Sequence, residues 1–594
     1  MRATFLLNTC ALITCTLAAC AAAVFCVRGR KTGKDALRER LIPFIPVALF
    51  ALIAVGAFLR LYLLSVIPLG LNQDEASLGY EAYVLATYGT DRYGYPYPVY
   101  PVTWGSGGGG PLLIYLMMLP IKLFGPYAFS VRIVPALLGV LTLPVFCLLV
   151  WKLRGRTAAL FGTLLLALCP WHIMFSRWAL DNRPLPLLLF LALLFFLAGT
   201  RTKKTAPYLI SVVFFALCLY SYGSALLVIP VFLVLVCITY ICAGRMTGKQ
   251  CAAGVVLFVL LCAPLFAFYV VNILDLPEVV TPYFSIEKLR LPRRVFYAFD
   301  SALPGKILSN LKYLLMTLTV GNDAFEAYYD FIPGFATLYV FTFPVTFLGF
   351  GKSLAEFAAS VHSGGHMEAD PEKANKADSA LFVLLFACAF VFALFVEPDI
   401  SRLCLLFAAE LYFFAVGVET IAAHLPAAGA AVAVFVCAGA LLFSRDYFGS
   451  RYEALAGDLF MPGYGAAVKY AAETARLKET EGSDDAAGRD RSIKVYSTYE
   501  GLNAPYMLAL FYDRTSPQEF NDTVILRDEE NAEFLIAESF GRFIFGLPED
   551  ILDEKYAEDI VIAHNGWDAD RFPEDLYTHV PFGHFQVIRR SNAP

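Results

Sequence analysis

Residues 41–66, LIPFIPVALFALIAVGAFLRLYLLSV, lead directly into residues 67–83, IPLGLNQDEASLGYEAY. The first stretch stays apolar over more than the roughly 20 residues that a helix needs to cross the hydrocarbon core of a bilayer. The second sets two adjacent carboxylates, Asp74 and Glu75, where the chain leaves that span. Comparable apolar runs lie near 4–27, 127–151, 157–176, 184–200, 206–222, 224–243, 252–273, 335–350, 380–396, 402–422 and 426–443, so twelve spans are expected. Of the 594 residues, 58% are apolar and 16% charged. A soluble protein carries about 25% charged residues, so a water-soluble class is excluded. The expected fold is a polytopic α-helical membrane protein with a large first outer loop of interfacial helices, followed by a small C-terminal extracytoplasmic α/β domain.

Orientation follows from Lys and Arg, which collect in cytoplasmic connections. Basic residues crowd 28–40 (Arg28, Arg30, Lys31, Lys34, Arg38, Arg40), and recur at Lys152, Arg154 and Arg156, at Arg201, Lys203 and Lys204, and at Arg245 and Lys249. All four connections face the cytoplasm if the spans alternate. Segments 67–126 and 274–334 and the tail from 444 then face outside, and His362–Lys376 forms a polar cytoplasmic loop. Residues 17–20, Leu-Ala-Ala-Cys, resemble a lipoprotein cleavage box at Cys20. Apolar character continues to Cys26 and a basic cluster follows, so 4–27 reads as an uncleaved first span.

Residues 444–594 hold 28 acidic and 15 basic residues, a net of −13, which leaves 23 acidic and 31 basic, or +8, for 1–443. That shift separates an N-terminal span with its basic loop (1–40), a membrane domain (41–443) and an acidic outer domain (444–594). All 14 cysteines, Cys10 to Cys437, precede the outer domain, which removes a disulfide framework and a zinc knuckle there. Within the tail, Gly465–Leu477 and Ala504–Tyr512 have helical spacing, Ser492–Ser497, Ile560–Ala563 and Phe585–Arg589 read as strands, and Gly482–Arg491 as a polar loop.

The chemistry is concentrated at the outer ends of the spans. An ionised group at membrane depth is costly to hold, so Asp74 and Glu75 are candidate functional carboxylates. Asp74 also opens a helical pattern through Leu85 and suits an N-cap. Tyr80, Tyr83, Tyr88, Tyr93, Tyr95, Tyr97 and Tyr100 offer faces for sugar rings, or form an interfacial belt. Trp104-Gly105-Ser106-Gly107-Gly108-Gly109-Gly110-Pro111 has no Lys-Ser/Thr after its glycines and is no nucleotide loop. Its amides at a helix start could face a phosphate, or the loop is a hinge. Arg132, Arg177 and Arg402 stand near outer ends, where arginines offer bidentate bonds to phosphate or snorkel singly. His172 reads as a satisfied interfacial histidine.

The Asp-Glu pair with its Gly-Tyr helix, Ile114-Tyr115-Leu116 to Leu123-Phe124-Gly125, Val131-Arg132, Pro170-Trp171-His172 with Phe175-Ser176-Arg177, and Tyr220-Ser221-Tyr222 occur in that order. Together they resemble a bacterial membrane glycosyltransferase of the protein O-mannosyltransferase and aminoarabinose (lipid A) transferase type, within the C-type superfamily, from about residue 41 to the end. The resemblance implies a polyprenyl-phosphate sugar donor, an extracytoplasmic acceptor, a plasma-membrane location and no nucleic acid. It implies Asp74 as catalytic aspartate with Glu75 as companion, Arg132, Arg177 and Arg402 at the donor phosphate, and Tyr80, Tyr83, Asp181 and Tyr222 at the substrate. Relatives carry a Lys-Pro-Pro-type sequence where this chain has Gly109-Gly110-Pro111, so either an arginine or the glycine amides must take the lysine's place. Asp74, Glu75 and Asp181 could hold a divalent cation, though no dense ligand cluster accompanies them. The rival readings are a transporter or flippase of lipid-linked sugars, an envelope-glycan polymerase or ligase, and a sensor.

Overall fold

The computed structural model describes residues 2–28, 42–105, 107, 109–291, 302–319, 328–362, 377–482, 492–527 and 534–591. Most of the basic cluster 28–40, Ser106 and Gly108 of the glycine loop, and the loops within 363–376 and 483–491 lie outside the described residues.

The apolar runs form helices, but fewer of them reach bilayer length than expected. Among the described residues seven helices are long and apolar enough to cross a membrane: Ala3–Val27, Ala128–Arg154, Leu185–Thr202, Gly223–Cys242, Gly248–Ile273, Cys404–His424 and Pro426–Tyr447. Four of the other expected spans are shorter, at Ile45–Leu61, Arg156–Leu168, Thr205–Leu219 and Ala380–Phe395. The fifth, Phe343–His362, is long enough but carries Lys352 and Glu356. The shortening has local causes. Arg156–Leu168 stops at Cys169, which is extended before Pro170, because a residue preceding proline is pushed out of the helical region. Ile45–Leu61 ends at an extended Tyr62, and Leu63 then takes φ 51°.

The two ends of the helical bundle are distinct. At one end the basic connections meet: Gln250 donates to the carbonyl of Lys203 at 3.0 Å, Arg154 pairs with Glu356 at 2.6 Å and Glu419 at 3.1 Å, and Arg245 pairs with Asp378 at 2.6 Å. At the other end the long segments meet: Val99 N–H donates to Ser285 C=O at 2.9 Å, and Tyr80 Oη to Thr515 C=O at 2.8 Å. The helices therefore run between a basic pole and a pole built from the first loop, the 274–334 segment and the tail.

The tail folds as a mixed sheet with helices on it. Beyond a short antiparallel pair in the second outer segment, β1 (Val279–Val280) and β2 (Ser285–Ile286), seven strands form one sheet: β3 (Val495–Ser497), β4 (Ile525–Leu526), β5 (Ala537–Phe540), β6 (Phe543–Phe545), β7 (Ile560–His564), β8 (Tyr577–Phe582) and β9 (Phe585–Arg590), in the order β4-β5-β6-β3-β7-β9-β8. The centre is parallel, with Val495 opposite both Phe543 and Ile560, while β7, β9 and β8 are antiparallel. Tyr464–Gly482, Tyr506–Asp513 and the short Pro517–Thr523 are helices beside it.

This domain does not stand apart. Leu71, Ala76 and Tyr80 of the first outer loop share one apolar core with Val495, Met507, Phe511 and Phe540 of the tail. Gly79 makes the approach possible, since a Cβ there would lie 2.8 Å from Val131 and 2.9 Å from Phe511. The helix Gln73–Tyr88 is thus held between the membrane bundle and the outer sheet.

Candidate active site

Two of the expected arginines, Arg132 and Arg177, are buried together with Arg60 beneath the outer surface. A helix leaves its last four carbonyls without internal partners, and here buried guanidinium groups meet such carbonyls. Arg60 donates to Leu166 at 2.9 Å and Ala167 at 3.1 Å, and to Nδ1 of His172 at 2.7 Å, which satisfies that histidine as expected. Arg177 donates to the carbonyls of Leu59, Arg60 and Ile67 at 2.9–3.1 Å and to Tyr447 Oη at 3.3 Å, with Phe448 under its plane. Arg132 forms a bidentate pair with Glu75 (2.8 and 2.7 Å) and donates to Pro68 and Gly70 carbonyls at 2.7 Å. Arg132, Arg177 and Glu75 are all wholly buried. In this structure the donors of Arg132 and Arg177 are taken by protein oxygens, and neither side chain is exposed.

The same geometry separates the two acidic neighbours. Asn72, not Asp74, caps the helix, accepting from Asp74 N–H at 2.8 Å while Glu75 returns the bond to Asn72 N–H at 3.2 Å. This reciprocal capping box satisfies two orphan amides. Glu75 also accepts from Ala179 N–H at 3.0 Å, so both of its carboxylate oxygens are engaged by protein donors. Asp74, in the first turn, is half-buried, and among the described residues no donor reaches its carboxylate. Burial and the adjacent Glu75 charge push Asp74 up to about 6, against the pull of Arg183.

From Asp74 a mostly buried polar network continues through Arg183 and Asp330 toward Arg402. Arg183 lies sandwiched over Phe175 (4.1 Å) and Trp178 (4.3 Å), contacts Asp330 at 3.5 Å, and among the described residues its buried Nη1 has no partner. Asp330 also accepts from Trp178 Nε1 at 2.8 Å and Ser401 Oγ at 3.1 Å. Next to Ser401, Arg402 pairs with Asp399 at 2.8 Å and, unlike the other two arginines, exposes 37% of its side chain. Its charge acts on Tyr222, whose hydroxyl also feels Asp399 and Asp181. Asp181 accepts from Gly110 N–H at 2.9 Å.

The glycine loop is explained by contact. A Cβ on Gly110 would lie 1.9 Å from Ser221 O, and one on Gly109 would lie 2.2 Å from Leu78. Their amides donate to Asp181 and to Thr103 Oγ1. Both amides are therefore engaged within the protein, and the loop serves close approach rather than an open phosphate cradle. Tyr80 is buried in the core shared with the tail and donates to Thr515, and Tyr83 packs against Tyr88. They sit about 9 and 13 Å along the helix from Asp74 at 1.5 Å per residue, so neither joins this network. Asp181 and Tyr222 do. Arg183 and Asp330 escaped the sequence reading: Arg183 is adjacent to Asp181-Asn182, a visible signal, but Asp330 lies in a segment without a motif.

Asp74, Glu75 and Asp181 do not gather as cation ligands. Among the described residues the one group of three suited to a metal is Asp458, His564 and His584, at the junction of bundle and outer sheet.

Residues 108–268 match the family model of dolichyl-phosphate-mannose-protein mannosyltransferase. The ArnT of Cupriavidus metallidurans, bound to undecaprenyl phosphate, is 12% identical; the alignment covers 93% of this chain and 98% of that one with a TM-score of 0.51. The apo oligosaccharyltransferase of Archaeoglobus fulgidus is 14% identical over 81% of this chain and 65% of that one, with a TM-score of 0.46. No curated protein matches the sequence. Residues 108–268 of the membrane domain thus resemble a mannosyltransferase family, and the chain as a whole shares the fold of ArnT over nearly its full length.

Proposed function

We propose that the chain moves a sugar from a polyprenyl-phosphate donor in the outer leaflet of a bacterial plasma membrane to an extracytoplasmic acceptor, which is a protein, lipid or envelope glycan. The observation that carries the reading is the isolation of Asp74: a carboxylate with a raised pKa and, among the described residues, no donor, beside a glutamate that is fully used. A base works best with a pKa near the working pH. Asp74 takes the proton of the acceptor hydroxyl as its oxygen bonds to the anomeric carbon. The bond from that carbon to the phosphate oxygen breaks, polyprenyl phosphate departs, and the anomeric centre is inverted. Arg402, the exposed arginine of this network, meets the phosphate oxygens, with Tyr222 and Asp181 beside it. The donor class is supported by the family match and by the undecaprenyl phosphate bound to the ArnT of like fold. Membranes containing the chain should release polyprenyl phosphate from a polyprenyl-phosphate sugar only when an acceptor is present. Absence of release across hexosyl and pentosyl donors would refute the proposal.

Arg402→Ala should lower transfer at limiting donor by roughly one to two decades, the effect of losing a hydrogen bond to a charged group worth about 1.5–3 kcal/mol. Unchanged transfer by this variant would move the phosphate to Arg183.

The reading also sets sidedness. The basic pole faces the cytoplasm, because the connections at 152–156, 201–204 and 245–249 share one pole. A cysteine placed at the exposed Glu549, in a background without native cysteines, should react with an impermeant maleimide in intact spheroplasts. Reaction only after lysis would reverse the orientation.

A further inference from the structure

The connection from the last membrane helix to the outer domain passes through a single turn, Gly457–Phe460, pressed against the far ends of β7 and the β8–β9 turn. Contact there is backbone to backbone: His584 N–H donates to Pro462 C=O at 3.0 Å, and a Cβ on Gly463 would lie 2.0 Å from Phe582 O. Three side chains converge on this seam. Asp458 Oδ1 is 2.7 Å from His584 Nδ1 and 3.1 Å from His564 Nε2, and the three ligand atoms lie within 4.8 Å of one another. His564 is 6% exposed, and its ring is clamped face to face on Trp567 at 3.8 Å. Its Nε2 points at Asp458 but has no hydrogen-bond partner among the described residues, so a buried nitrogen is left aimed into the cluster.

We propose that Asp458, His564 and His584 bind a divalent transition-metal ion of the zinc type, which pins the outer domain to the membrane domain. Two imidazoles and one carboxylate are a borderline-soft donor set that suits zinc rather than magnesium or calcium. Metal–ligand bonds of about 2.0–2.1 Å in a tetrahedron separate the ligand atoms by about 3.3 Å, so the present 2.7 and 3.1 Å need only small shifts, and the two imidazole nitrogens, within 4.8 Å, close by at most about 1.5 Å. His584 and Asp458 are partly exposed, leaving a fourth position open to water. Metal on Nε2 puts the His564 proton on Nδ1, which gives up the 3.2 Å bond from Gly566 N–H, a weak bond beside a metal–imidazole one. The ion would act on the site by position. Leu459 C=O accepts from Asn72 Nδ2 at 3.0 Å, and Phe460 O would lie 2.0 Å from a Cβ on Gly70, so the metal-held turn seats the residue that caps the Asp74 helix. That consequence rests on the catalytic reading of Asp74, whereas metal binding does not.

The test uses the full chain in detergent, stripped with a chelator and dialysed against micromolar Zn²⁺, with metal content and thermal unfolding measured. The expected result is uptake of a single ion per chain, a saturable rise in Tm, and no competition from excess Mg²⁺. His584→Ala, in an exposed turn where folding is tolerant, and the double variant His564→Ala/His584→Ala should lose both the ion and the rise in Tm. No uptake by the native chain, or equal uptake by a monodisperse His584→Ala variant, would overturn the site. Sugar transfer enters neither measurement, so failure here is distinct from failure of the proposed reaction.

Discussion

Asp74→Asn is expected to lower acceptor-dependent sugar transfer by about 10²–10⁴ at saturating donor, the usual worth of a general base. The chain should still fold. The cap of this helix is Asn72, and the Asp74 carboxylate accepts no hydrogen bond from a described residue, so an amide disturbs no contact. The sign of the pKa shift points the same way. A carboxyl raised to about 6 is ionised at pH 7 against its surroundings, so a neutral side chain there does not destabilise the folded state. The rate in the native protein should fall as pH drops through about 6, where Asp74 takes up a proton, and the Asn variant should lose that limb of the profile. Near-native turnover in Asp74→Asn, with donor saturating, would remove the base from the mechanism.

Glu75→Gln should fail differently, although the two residues are neighbours in sequence. Its carboxylate balances Arg132 inside the protein, with neither side chain exposed. Removing one member of a buried ion pair typically costs about 3–5 kcal/mol, because the remaining charge is left in low dielectric without a counter-ion. The expected result is a large fall in Tm and in the yield of monodisperse protein, with activity lost in proportion to folded protein. Replacing both groups, Glu75→Gln with Arg132→Met, should recover part of the stability, since no lone charge remains; the unmet Pro68 and Gly70 carbonyls set the remainder. A Glu75→Gln protein as stable as the native chain yet inactive would return Glu75 to the catalytic group.

The membrane class, the positions of the helices, five elements of the tail and the Asp74 region were legible in the chain because each rests on local signals: hydropathy over about 20 residues, period 2 or 3.6, and charge beside an apolar run; strands β4, β5, β6 and β8 of the tail sheet were not. Helix length was less legible. A hydropathic run says how far apolar character extends, but Pro170 and the turn after Leu61 decide where backbone bonding stops. The roles of the charged residues were settled by tertiary structure alone. Glu75, Arg132 and Arg177 are charged residues near outer span ends like Asp74 and Arg402, yet the fold buries the first three wholly among carbonyls and counter-charges, leaves Asp74 without a donor among the described residues, and keeps Arg402 partly exposed beside Asp399. A charge in low dielectric takes its function from which partners reach it. Those partners lie up to 270 residues away, from Arg177 to Tyr447, beyond the range of any local pattern.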